Sequence, residues 1–172
     1  MKNYSSLFSE LGKKIVEDGK IIFTRAKEMF GDDAKNLSQK ISEKVKRKSK
    51  NIQIFPENSA QALGPYSPAF DTGNFIFFSG QIALDSEGVF HNESLESECE
   101  QVFKNIDVLL SASKCEKTNI VKTTVFLDDL HNFSAFNTLY SEYLGDHKPA
   151  RSCVQVVLPK NARVEIEVLV KR

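Results

Sequence analysis

The chain has 172 residues, with 23 Lys/Arg against 23 Asp/Glu and 41% hydrophobic content. That length suits one ordinary domain with an appendage, and the apolar fraction supports a core, which excludes disorder throughout. Zero formal charge argues against nucleic-acid binding on bulk charge, and no apolar run approaches the ~18 residues needed to span a bilayer.

The charge is unevenly distributed. Residues 1–51 carry 13 Lys/Arg against 7 Asp/Glu, and residues 52–172 carry 10 against 16. Tyr4, Leu7, Phe8, Leu11 and Ile15 fall on one helical face, Ile22, Ala26, Met29 and Phe30 suggest a second helical stretch, and Leu37, Ile41 and Val45 form a thinner third. The leader ends in the basic run Lys44–Lys50. Read plainly, that run is a solvated linker. Read more sharply, it is a basic amphipathic helix for a partner protein or an anionic membrane surface. A domain boundary is expected near Asn51, separating a basic helical extension (1–51) from the body (52–172).

The N-terminus has no uninterrupted apolar stretch of the secretory kind, and Glu10, Glu17 and Asp18 count against an organelle transit peptide. The three cysteines, Cys99, Cys115 and Cys153, form neither a disulfide framework nor a CxxC clip. A reducing, cytoplasmic setting is therefore expected. His91, His131 and His147 have no ligand-like spacing, so no metal site is expected.

The body alternates strands and helices. Ile52–Phe55 predicts a short strand, Gly64–Pro68 a bend, and Asn74–Ser79 a nearly continuous apolar strand running into Gly80. Asp85–Gly88 is a turn. Leu95, Cys99, Val102, Ile106 and Leu109 mark an amphipathic helix capped by Asn92 or Ser94. Ile120–Leu127 is a β-branched strand. Phe133, Phe136, Tyr140, Tyr143 and Leu144 mark a second helix stopped by Gly145. From Pro149 onward the pattern predicts two strands joined by a tight Leu-Pro-Lys-Asn turn. Two helices against one sheet predict a two-layer α+β sandwich. In the last strand Val164, Ile166, Val168 and Val170 are expected to face the helices. Arg163, Glu165 and Glu167 are expected on the other face, which is either solvated or a surface where identical subunits meet.

Several residues can carry chemistry. Arg151 opens its strand, and a guanidinium binds carboxylates bidentately; the plainer reading is an ion pair to Glu165 or Glu167. Glu165 can direct a water or simply be solvated. Cys153 shares the face of Arg151, and a lone cysteine is more often a packed small hydrophobe than a nucleophile. Ser79 and Gly80 end a buried strand where small residues often line a site. Tyr66 can cover a pocket or plug the core, and Asn137 can hydrogen-bond a substrate or a loop.

In order, the segments GPYSPAF, GNFIFFSGQI, IVKTTVFLDDL, FNTLYSEYL and PARSCVQVVLPKNARVEIEVLV resemble the Rid family, the reactive intermediate deaminases or YjgF-like proteins. The resemblance runs from about Ile52 to Lys171, and Pro-Ala-Arg-Ser and Val-Glu-Ile-Glu are its most telling motifs. It implies a chorismate-mutase-like α+β fold, a homotrimer with ligand clefts between subunits, and hydrolysis of 2-imino or enamine acids to 2-oxo acids and ammonia without metal or organic cofactor. On this resemblance Arg151 holds the substrate carboxylate, Glu165 orients the attacking water, and Tyr66, Ser79, Gly80, Asn137 and Cys153 line the cleft. The chain departs from the family pattern in a shorter link between Gln155 and Leu158, in Ser67-Pro68 where Ser-Gln is common, and in its long leader. Two other functions fit the same resemblance: a non-catalytic sensor of small carboxylates, and RNA cleavage or translation inhibition, which the acidic body disfavours.

Overall fold

The computed structural model describes residues 51–172. The helical stripes and basic run of the leader lie outside the described residues. The body is a six-stranded sheet with two helices packed on one face. Its strands are β1 (Ile52–Ile54), β2 (Ala69–Asp71), β3 (Phe75–Gln81), β4 (Ile120–Leu127), β5 (Ala150–Gln155) and β6 (Val164–Lys171); its helices are α1 (Leu95–Ala112) and α2 (Phe133–Leu144). The predicted α+β, two-layer architecture is the one observed. One short strand, β2, went unread because three residues are too few for alternation to show.

The strand order is β1-β2-β3-β6-β4-β5. All neighbours are antiparallel except β4 and β5. Parallel neighbours need a crossover, which α2 supplies between β4 and β5. The last strand, β6, inserts between β3 and β4. The closing pair is therefore not a hairpin: β5 lies on the sheet edge, and β4 separates it from β6. The link between them is the segment after Gln155, with a short 3-10 turn at Pro159–Asn161 where Lys160 and Asn161 take positive φ. It carries the chain past the end of β4, where the Val156 amide donates to the Leu127 carbonyl at 2.9 Å.

The core follows the sequence periodicities. Val164, Ile166, Val168 and Val170 of β6 pack with Ile76 and Phe78 of β3 and with Val102, Ile106 and Leu109 of α1. Helix α1 starts at Ser94, which settles the cap between the two candidates. The Ser94 hydroxyl accepts from the Ser97 amide (3.2 Å), and the Ser94 amide donates back to the Ser97 hydroxyl (3.1 Å), so two of the helix's orphan donors are satisfied reciprocally. Gly145 stops α2 at φ +62, a conformation costly for residues with a Cβ.

Arg163 departs from its predicted face because it precedes β6 and escapes the strand alternation. It turns to the helix side, where its guanidinium meets Glu98 Oε1 at 2.7 Å and its backbone amide donates to Oε2 at 2.7 Å. Glu98 is fully buried on α1, so this clamp fixes the entry of β6.

Candidate active site

The sheet register decides which side chains can meet. Thr123 pairs with Arg151 and Val125 with Cys153 across β4–β5, while Val125 pairs with Ile166 and Phe126 with Glu165 across β4–β6. Paired residues in adjacent strands share a face. Arg151 and Cys153 therefore lie with Thr123, Val125 and Ile166 on the helix face. Glu165 lies with Phe126 and Val154 on the opposite face. Two strand spacings sideways and three residues lengthwise, each about 10 Å, add to the separation. Within one chain, Arg151 and Glu165 cannot share a ligand. The register of Thr123–Leu127 against Val164–Val168 is unbroken, so the face of Glu165 is well defined despite the short link.

On the helix face, Arg151 sits over aromatic rings of α2. Its guanidinium carbon is 5.0 Å from the Tyr140 centroid, 5.6 Å from Phe133 and 5.9 Å from Phe136. No ion pair to Arg151 occurs among the described residues, so the structural pairing with Glu165 or Glu167 is not made. Asn137 is half-buried on the same helix, and helical spacing sets it beside Phe133 and Tyr140. Its Oδ1 is buried without a hydrogen-bond partner, a condition that polar groups in folded proteins rarely tolerate. Burial pushes the Cys153 thiol up, against the pull of Arg151, which favours the protonated, weakly nucleophilic form.

Glu165 belongs to a second cluster. The pairing of β3 with β6 shifts between Phe78–Val168 and Gln81–Ile166, a bulge in which Ser79 and Gly80 are the extra span. The bulge brings the Gly80 backbone under the Glu165 side chain. A Cβ at Gly80 would clash with the carboxylate, with Cδ at 2.7 Å and Cγ at 3.0 Å. Burial, reinforced by the nearby Glu167 charge, raises the Glu165 carboxyl above the usual range. Gly80 also lines a small cleft with Tyr66 and Pro68. Ser79 closes the bend by donating to the Ser67 carbonyl at 2.7 Å, and Tyr66 is exposed, its hydroxyl accepting from the Leu63 amide at 3.1 Å.

The sequence-predicted residues thus form two separate clusters: Arg151, Cys153 and Asn137 on the helix face near the sheet edge, and Glu165, Gly80, Ser79 and Tyr66 around the β3 bulge. Phe133, Phe136, Tyr140 and Thr123 escaped the sequence reading as site residues. The aromatic stripe reads as core, and only the β5 parity reveals that Arg151 faces it. Among the described residues, no group of three or more His, Cys, Asp or Glu is placed to hold a metal, and no helix is long and apolar enough to cross a membrane.

The fold points to a class, and comparison with known proteins gives the family. The family profile described as Endoribonuclease L-PSP matches residues 56–172. The human protein named 2-iminobutanoate/2-iminopropanoate deaminase is 43% identical over 108 residues, covering 62% of this chain and 79% of that protein. The Salmonella typhimurium protein of the same name is 37% identical over 123 residues, covering 69% and 96%. The crystal structure of the Escherichia coli YjgF gene product aligns with a TM-score of 0.65 at 36% identity, covering 72% of this chain and 99% of that one. The chain belongs to the YjgF/Rid family.

Proposed function

We propose that this protein hydrolyses reactive 2-imino acids, such as 2-iminobutanoate and 2-iminopropanoate, to 2-oxo acids and ammonia, at sites built between copies of the chain in a homotrimer. The observation that carries the reading is Arg151, a half-buried guanidinium with aromatic support and no carboxylate of its own among the described residues. Such a group suits the carboxylate of a small acid. The similarity to two proteins named as deaminases of these imino acids supports the same reaction.

Arg151 of one copy holds the substrate carboxylate. Glu165 of a neighbouring copy approaches from its Gly80 bulge. As water oxygen bonds to the imine carbon, the C=N π electrons move to nitrogen and Glu165 takes a water proton. Its raised pKa brings it nearer the operating range of a general base. The proton then passes to the nitrogen of the tetrahedral adduct, giving a carbinolamine; Glu165 next takes the hydroxyl proton and delivers it to the same nitrogen, so the C–N bond breaks and ammonia leaves as the C=O forms. Water adds across C=N and ammonia is eliminated, so no oxidant or reductant is consumed. The face opposite the helices, which exposes Phe77 and Val154, suits burial between copies. The cytoplasm fits a substrate released by amino-acid dehydratases.

The test couples the full-length protein to a threonine dehydratase and follows loss of 2-iminobutanoate. Acceleration above the buffer rate, abolished by Arg151→Ala, is expected; no acceleration defeats the enzyme reading. A second reading, a carboxylate sensor without turnover, draws on the same Arg151 and is distinguished by binding without acceleration. RNA cleavage fits a family described as Endoribonuclease L-PSP but meets an acidic body. RNA binding through the basic leader should disappear on deletion of residues 1–50 and weaken with salt.

A further inference from the structure

Among the described residues Arg151 meets ring faces and no carboxylate, so its hydrogen-bonding edge stays free there. We propose that Phe133, Phe136 and Tyr140 are positioning residues that hold the Arg151 guanidinium by ring faces alone, keeping its N–H donors available for the substrate carboxylate, with Thr123 fixing the Tyr140 ring. This rests on the reading of Arg151 as carboxylate anchor and adds how that anchor is held.

All three rings lie within the 6 Å range of cation–π attraction. A carboxylate partner would consume two donors of the planar fork, whereas a ring face attracts the charge and uses none. The rings also supply what an unpaired, half-buried cation otherwise lacks. The cradle is itself anchored. Thr123 Oγ1 and Tyr140 Oη are 2.7 Å apart, and Thr123 is buried directly across from Arg151 in the β4–β5 register. The cation and its nearest ring are therefore tied to neighbouring positions of the same two strands. Phe136 is fully buried and tilts against Tyr140 at 5.5 Å, while Phe133 is 39% exposed and forms the rim.

The experiment titrates 2-oxobutanoate, an unreactive small 2-oxo acid, into the full-length protein by calorimetry. Variants are Arg151→Ala, Phe133→Leu, Tyr140→Leu and Tyr140→Phe. Phe133 is at the surface, so Phe133→Leu folds even if Tyr140→Leu does not. The parent should bind and Arg151→Ala should not. Phe133→Leu and Tyr140→Leu should weaken binding about fivefold to thirtyfold, the range of a partly desolvated cation–π contact. Tyr140→Phe, which keeps the ring, should stay within about threefold of the parent. In the coupled assay Phe133→Leu should raise KM more than it lowers kcat, the signature of lost ground-state binding. Binding that needs Arg151 but is unchanged in Phe133→Leu overturns the cradle and leaves the anchor standing. Binding that is absent in the parent, or indifferent to Arg151→Ala, overturns both.

Discussion

At the residue scale, the Glu165 carboxylate is held at the expense of stability. Its folded pKa is raised, so the fold favours the protonated acid. Its contribution is fully present below the ordinary glutamate pKa and is lost as pH rises through the folded value. Glu165→Gln should therefore unfold at a higher temperature than the parent at pH 7, with the difference closing as pH falls below the usual glutamate range. Parallel melts across pH check this, and an unchanged difference would refute the sign. The same proton should govern catalysis: imine hydrolysis should fall as pH drops through the raised pKa, because the base is then protonated. Gly80 sets where the Glu165 carboxylate stands. A Cβ at this position would push chiefly on the far end of a flexible side chain, so Gly80→Ala should move Glu165 rather than unfold the sheet. A loss of about 10- to 100-fold in kcat with little change in melting temperature is expected, since an ångström of misplacement is enough for it.

At the element scale, the Glu98–Arg163 clamp ties α1 to the entry of β6. Glu98→Ala would leave Arg163 facing a buried hole and its amide without an acceptor. Removing one partner of such a pair costs about 3–5 kcal/mol, and urea unfolding should show a loss near the low end of that range because Arg163 is part-exposed. Ser94→Ala should cost about 1 kcal/mol by the same measurement, the ordinary worth of a helix cap. The elements themselves were largely legible in the sequence. The stripe from Leu95 to Leu109, the β-branched run Ile120–Leu127 and the alternation Val164–Val170 each carry a period long enough to read. Three residues of β2 are not. Nor does local pattern report that β6 threads between β3 and β4, because strand order depends on long-range pairing. The tight turn at Leu158–Asn161 reads as a hairpin, yet it belongs to a link that passes the end of β4.

At the scale of the whole molecule, that misreading has a functional consequence. Treated as a hairpin, Arg151 and Glu165 sit on adjacent strands of one chain. In the observed sheet they are two strands apart and on opposite faces. The candidate residues could be named from the sequence, but their partition between two faces could not, because a face assignment needs the register of both β5 and β6 against β4. In the proposed trimer, each working site joins Arg151 from one copy to Glu165 from another. The most direct test refolds Arg151→Ala and Glu165→Gln chains together in equal amounts and assays 2-iminobutanoate hydrolysis. Each variant alone should be inactive. In randomly mixed rings, about a quarter of the seams pair an intact Arg151 with an intact Glu165, so about a quarter of the parental activity should return. A mixture as inactive as its components would contradict the shared site.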